Sequence, residues 1–142
     1  PERSAQTFID GWFHTGDVAT IDEEGYVRLV DRTRDLIKSA GEWISSVDLE
    51  NTIMAHPDVM EAAIIGVPHP KWQERPLACV TAYPGRTVSA DDIREFLGDK
   101  VKASWWIPDD IIFLSEIPKT SVGKFNKREL RRLYADGELK SL

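Results

Sequence analysis

Two apolar runs, at 59–67 and 77–83, constrain this chain more than any other feature. Each has the length of a strand and is bounded by turn residues: a proline-framed loop spans Pro68 to Pro76 between them, and Pro84-Gly85 ends the second. Strands this apolar need cover, and three helical segments supply it. Ser45 or Ser46 caps the first, with Asp48 or Glu50 in its first turn, Leu49 and Ile53 one turn apart, and His56-Pro57 as its stop. Ser89 and Asp92 make a capping signature for the second, whose apolar stripe is Ile93, Phe96 and Leu97 and which Gly98 closes. The third opens on Asn126 with Glu129, carries Leu130, Leu133 and Tyr134 as its stripe, and stops at Gly137. The run at 111–114 adds a third strand. Ahead of these, one hairpin joins 18–21 to 26–30 through Asp22-Glu23-Glu24-Gly25, with the glycine where a positive φ is needed. A smaller hairpin has Leu36-Ile37-Lys38 and Trp43-Ile44 as its arms and Gly41 at its tip. The expected fold is α+β: a small β-hairpin plus a sheet of about three strands, covered by about three helices.

Composition narrows the function classes. The 142 residues are 42% hydrophobic and 30% charged, and a chain of this length buries roughly 68–70% of its unfolded surface without needing disulfides or a structural metal. The single Cys79 and three scattered histidines offer no metal-ligand spacing, so no metal site is expected, and they suit a reducing, cytoplasmic setting. A net charge of −6 argues against nucleic-acid or anionic-membrane binding. Locally the sign reverses: Lys119, Lys124, Lys127, Arg128, Arg131 and Arg132 crowd around Glu129, which on its own terms reads as a solvated helix face. No apolar run approaches a membrane span, and no signal-peptide pattern opens the chain. The first residues, Pro1-Glu2-Arg3-Ser4, include no initiator Met, so a fragment of something longer is expected.

One exposed connector stands out, Ile117-Pro118-Lys119-Thr120-Ser121-Val122-Gly123-Lys124-Phe125. Pro118 stiffens its entry, Gly123 permits a tight turn, and Lys124 follows with a flexible reach and full charge, a plausible way to present one ammonium to an anion. It is not a phosphate-binding P-loop, which would need glycine at Pro118 and a hydroxyl residue at Phe125. Asp31-Arg32-Thr33-Arg34-Asp35, four charges in five residues with no turn glycine, reads as a short linker or hinge.

Three separated stretches together resemble the C-terminal motifs of the adenylate-forming superfamily, which includes acyl-CoA synthetases, adenylation domains of nonribosomal peptide synthetases and beetle luciferases. They are Gly11-Trp12-Phe13-His14-Thr15-Gly16-Asp17, then the run from Val30 through Asp31-Arg32-Thr33-Arg34-Asp35 to Gly41-Glu42-Trp43-Ile44, then Ile117 to Lys124. The loop from Gly66 to Pro76 and the run Trp105-Trp106-Ile107-Pro108-Asp109-Asp110 look most like the branch that activates medium- and long-chain fatty acids.

The resemblance implies a two-step reaction: a fatty-acid carboxylate and ATP give an acyl-adenylate, then CoA displaces AMP to give the thioester. It implies residues 1–31 as the tail of a large N-terminal adenylation domain, 32–35 as a hinge, and 36–142 as a mobile C-terminal domain, inactive alone. Lys124 matches the catalytic lysine, Asp17 the aspartate that takes the nucleotide ribose hydroxyls, and Arg32 an arginine on ribose or phosphate. Arg34 falls at the hinge position, where the family usually has Asp or Lys. Gly41 and Trp43 match the loop that enters the active site for the CoA step. ATP/AMP and CoA are the implied cofactors, with Mg2+ and most phosphate contacts expected in the large domain. Two alternatives are an aryl- or amino-acid-activating enzyme of the same superfamily, and a non-catalytic nucleotide-sensing or interaction module.

Overall fold

The computed structural model describes residues 2–141, so Pro1 and Leu142, at the ends of the expected spans, lie outside the described residues. A short helix α1 (Glu2–Thr7) leads into two paired two-residue strands, β1 (Phe8–Ile9) and β2 (Trp12–Phe13), whose aromatic rings are largely exposed. The first expected hairpin follows as β3 (Asp17–Ile21) and β4 (Val27–Arg32), antiparallel, with Gly25 at φ 87° in the turn. β4 runs further than the sequence indicates. It takes in Asp31, which is buried, so only 33–35 form the turn before the next element.

The second hairpin, β5 (Ile37–Ser39) and β6 (Glu42–Ile44), turns through Ala40 and Gly41, both at positive φ (54° and 82°). Two positive φ values in a two-residue connection match the twist of the strands it joins. Ser45 then caps α2 (Ser46–Met54), its side chain accepting from the Asp48 N–H at 3.2 Å.

The centre of the molecule is the long antiparallel pair β7 (Val59–His69) and β8 (Gln73–Ala82). The proline-framed loop expected at 68–76 is mostly strand: pairing continues to His69↔Gln73 and leaves only 70–72 as the connection, with Gln73 at φ 68°. Prolines sit in strands where the ladder does not require their missing N–H. α3 (Ala90–Leu97) has the reciprocal cap read from Ser89 and Asp92, the hydroxyl accepting from the Asp92 N–H and the carboxylate from the Ser89 N–H at 2.8 Å. Gly98 closes it as expected, at φ −51°, and the chain leaves through a further turn in which Lys100 and Val101 donate to the Leu97 carbonyl. A 3-10 turn (Ser104–Trp106) precedes β9 (Asp110–Phe113), which pairs parallel to β8. α4 (Lys127–Ala135) closes the fold, its Asn126 cap accepting from the Glu129 N–H and Gly137 at φ 70°.

The sheet order is β6-β5-β8-β7, with β9 also on β8, and β5 meets β8 only at Ser39↔Gln73. Alternate residues of β7 and β8 therefore enter two different cores. Ala62, Ile64, Ala78 and Val80 pack with α2 and α3 through Leu49, Ile53, Ile93 and Leu97. Ala63, Ile65, Leu77 and Cys79 pack on the other face with Ile117 and Leu130. Leu130 is the buried residue of α4, so the connector at 117–126 and the helix after it are seated on the second core.

Candidate functional site

Between the β3–β4 hairpin and the start of α4 lies an open cleft of ≈ 510 Å³, lined by Asp17, Arg32, Arg34, Thr120, Lys124 and Arg128 among others. Asp17 and Arg32 are register partners at the base of the hairpin, yet the Arg32 guanidinium stands 3.9 Å from the Asp17 carboxylate and both are well exposed. Such a long, wet ion pair contributes little to stability and leaves both groups available to a ligand. Gly16, at φ 78°, turns the backbone so that its carbonyl accepts both the Thr33 N–H (2.8 Å) and the Thr33 hydroxyl (3.1 Å), which fixes the strand bearing Asp17 against the end of β4.

The opposite wall is a closed loop. Lys119 and Phe125 form a bridge, the Thr120 N–H donates to the Lys124 carbonyl at 2.7 Å, and the Asn126 N–H donates to the Pro118 carbonyl at 2.7 Å. Gly123, at φ 80°, makes the return possible. The Lys119 ammonium is 2.8 Å from Glu61 on β7, tying the loop down, while Lys124 is exposed and has no acidic partner within 4 Å among the described residues. Asp17, Arg32 and Lys124 thus share one cleft although about ninety positions of chain separate the last two.

The remaining basic residues divide in a way the sequence does not indicate. Lys127 is partly buried, its side chain 12% exposed, and pairs with Glu50 at 2.6 Å, Arg131 with Asp35 at 2.6 Å, and Arg132 with Glu129 and Asp136 at 2.8 and 2.7 Å. The solvated face expected of this cluster is therefore largely an ion-paired one. Arg34 and Arg128 line the cleft without a carboxylate partner among the described residues. Gly41 and Trp43 sit elsewhere: they are not among the cleft-lining residues, and Trp43 is 57% exposed with the Lys38 ammonium 5.4 Å from its ring centroid.

Two buried polar constellations escape the sequence reading. In the first, both the Ser46 N–H and the Ser46 hydroxyl donate to Asp31 Oδ2 at 2.7 Å, the Lys127 ammonium donates to Ser46 Oγ at 2.7 Å, and Glu50 Oε1 also accepts the Ile64 N–H at 2.8 Å. Burial pushes the Glu50 carboxyl above its ordinary range, with Lys127 and the Ile64 N–H pulling it back and Asp31 adding repulsion. The missed signal lies in α2, whose buried positions 46, 49, 50 and 53 follow helical spacing. Ser46 and Glu50 on an apolar stripe demand partners.

In the second, Arg75 on β8 holds Asp109 with two bonds of 2.6 and 2.9 Å and donates to the carbonyls of Trp105 (2.6 Å) and Ile107 (3.2 Å) and to Ser39 Oγ (3.2 Å). Those bonds hold the Asp109 carboxyl below the usual carboxylate range. Cys79, buried and pushed up to about 12, is a core thiol, as its strand position suggests. His69 caps its own turn, its Nδ1 accepting from the Lys71 and Trp72 N–H groups. Trp106 is buried and Trp105 half-exposed. Among the described residues no group of three or more His, Cys, Asp or Glu is placed to hold a metal ion, and no helix is long and apolar enough to cross a membrane.

Residues 48–124 match the AMP-binding enzyme C-terminal domain. The chain belongs to that family. Its similarity to the long-chain-fatty-acid–CoA ligase of Thermus thermophilus is 57% identity over 132 residues, 93% of this chain and 24% of that protein. With the 3-methylmercaptopropionyl-CoA ligase of Ruegeria lacuscaerulensis it shares 50% identity over 134 residues, 94% of this chain and 25% of that one. The chain therefore spans about a quarter of the length of the curated relatives it matches. Among solved structures, ATP-bound MatB from Rhodopseudomonas palustris superposes with a TM-score of 0.86 at 34% identity, covering 97% of this chain and 27% of that one. The apo form of MatB covers the same 97% of this chain, and 28% of its own, with a TM-score of 0.73 at 35% identity. The matched segment ends at Lys124 and so takes in the connector at 117–124.

Proposed function

We propose that this chain serves as the C-terminal catalytic domain of a fatty acid–CoA ligase. In the first step a fatty-acid carboxylate oxygen bonds to the α-phosphorus of ATP as pyrophosphate leaves. In the second the CoA thiolate bonds to the acyl carbon as AMP leaves. The observation that carries this reading is the convergence of Asp17, Arg32 and Lys124 on one cleft. Asp17, a two-oxygen acceptor, faces the vicinal ribose hydroxyls, and Arg32 supplies a fixed charge to ribose or phosphate. Lys124 meets the negative charge that gathers between the incoming carboxylate and the α-phosphate, and a positioned donor of that kind contributes roughly 10²–10³ in rate. The closer superposition on ATP-bound than on apo MatB, over the same share of the chain, supports an arrangement suited to nucleotide.

In this reading residues 1–31 belong to a preceding large domain, 32–35 act as hinge with Arg34 at the pivot, and 36–142 turn between steps. The Gly41–Trp43 hairpin, outside the cleft, then takes the place of the Lys124 loop for thioester formation. The glycine leaves room for the pantetheine arm and Trp43 offers a flat wall beside it. Mg2+ would be held by the preceding domain, and the reaction runs in the cytoplasm.

The test joins the chain to its preceding domain and measures the half-reactions separately. Lys124→Ala should lower acyl-adenylate formation by about 10²–10³-fold while a supplied acyl-adenylate is still converted to thioester. Equal loss in both steps would refute the assignment, and thioester synthesis by the 142-residue chain alone would refute the need for a second domain. A second reading, activation of a different small acid, is favoured by the methylmercaptopropionyl-CoA ligase relative. An acid profile of the joined enzyme that peaks on short sulfur-containing or aryl acids would replace the fatty-acid assignment.

A further inference from the structure

The two walls of the cleft lie far apart in sequence, so their spacing depends on contacts that cross between them. Asp31 is buried immediately beside Arg32, and its Oδ2 receives both the N–H and the hydroxyl of Ser46 at 2.7 Å. Ser46 in turn receives the Lys127 ammonium at 2.7 Å, and Lys127 begins α4, three positions after Lys124. A chain of side chains thus runs from the neighbour of Arg32 to the helix that carries the Lys124 loop. We propose that this relay is a positioning device for adenylation, with the Asp31–Ser46 link as the latch that holds the nucleotide-facing hairpin against the domain bearing Lys124. The proposal rests on the two-step reading above.

The residues sort themselves on either side of the pivot. Ser46, Glu50 and Lys127 all belong to the span 36–142 and move together in any rotation about Arg34. Asp31 alone lies on the other side. Rotation must therefore break the two bonds from Ser46 to Asp31 and can leave Lys127–Glu50 and Lys127–Ser46 intact. The Asp31 carboxylate also sits at the N-terminal end of α2, where the Ser46 N–H and the helix dipole favour an anion. Among the described residues, the further polar contacts at this junction are Ser45 Oγ to the Val30 carbonyl, at 3.2 Å, and the exposed Arg28–Asp48 pair, at 3.8 Å. Stability alone gives little reason for such a buried ionic chain, since apolar residues of equal volume often stabilise as well or better. A charged link that can be broken and remade suits a junction with two working arrangements.

The test uses Asp31→Asn and Ser46→Ala, with Ser46→Thr as the conservative control that keeps the hydroxyl. In the joined enzyme, acyl-adenylate formation should fall about tenfold in the first two variants, the scale of one charge-assisted hydrogen bond. Conversion of supplied acyl-adenylate and CoA to thioester should hold or rise, and Ser46→Thr should restore adenylation. Loss of both half-reactions together, or of neither, would overturn the proposal. A second measurement on the 142-residue chain separates this proposal from the reading it rests on. Exchange of the Ser46 amide hydrogen should quicken about tenfold in Asp31→Asn while the amides of β7 and β8 keep their protection. Unchanged exchange at Ser46 would overturn the latch whatever the enzyme does. Quickened exchange in a chain whose parent enzyme forms no acyl-adenylate would overturn the adenylation role while leaving the contact real.

Discussion

Replacing Arg75 by leucine tests how far one buried side chain organises the segment that precedes β9. The Arg75 side chain is 10% exposed, and its guanidinium supplies five hydrogen bonds, two to Asp109 and one each to the carbonyls of Trp105 and Ile107 and to Ser39 Oγ. Leucine fills much of the volume and donates nothing. Asp109, whose side chain is 53% exposed, regains water and contributes little to the loss. The carbonyls and the fully buried Ser39 hydroxyl lose their donor, at a cost of about 1–3 kcal/mol for each group that water cannot reach. We expect a net loss of about 3 kcal/mol, a large share of the roughly 5–15 kcal/mol available to a domain. The assay is urea unfolding of the 142-residue chain followed by tryptophan fluorescence. At a slope of about 2 kcal/mol per molar, the midpoint should fall by about 1.5 M. A second signature is acid-side. Because Arg75 lowers the Asp109 carboxyl, the native chain gains stability above the ordinary carboxylate value of 3.8 and loses it as pH falls through the lowered value, and Arg75→Leu should lack that loss. A midpoint within about 0.3 M of the parent, comparable to the error of such fits, would refute the reasoning.

Two further outcomes follow from the second core and the buried relay. Leu130→Ala, which empties the site that seats α4 on β7, should cost about 3 kcal/mol in urea unfolding and loosen the Lys124 loop, seen as faster amide exchange at Thr120 and Asn126. Glu50 has its carboxyl raised above 4.5 chiefly by burial, so protonated Glu50 contributes stability that is full below that value and lost as pH rises through the raised one. The stability of the parent minus that of Glu50→Gln should therefore decline as pH rises from 4.5, and a flat difference would contradict it.

What could be read from the sequence was what is decided locally. The reciprocal Ser89–Asp92 cap, the Asn126 cap, and the turns at Gly25 and Gly41 depend on a few neighbouring residues. Gly98 closes α3 as the stripe and glycine suggest, although at negative φ, because the following residues bond to the last turn themselves. The prolines at 68 and 76 misled: their neighbours continue the ladder, so they punctuate nothing. Long-range burial was the larger gap. Arg75 reads as one more charge in Gln73-Glu74-Arg75, and Lys127 as one of a basic group, because only the assembled sheet and helices close around them. The cleft was legible as three motifs but not as a place.

The parallel pairing of β9 with β8 carries a kinetic consequence. β7 and β8 meet across three residues, so their contacts form with little loop-closure entropy. β9 must find β8 across the whole of 83–109, and the 117–126 connector with α4 can seat only on a second core that β7 and β8 have already built. Contacts of greater sequence separation slow folding. The order this implies is hairpin first, crossover second, C-terminal helix last, so the segment presenting Lys124 is the last to assemble, held by Ile117, Leu130 and the Lys119–Glu61 and Lys127–Glu50 pairs, all of which need a surface that the earlier steps have built.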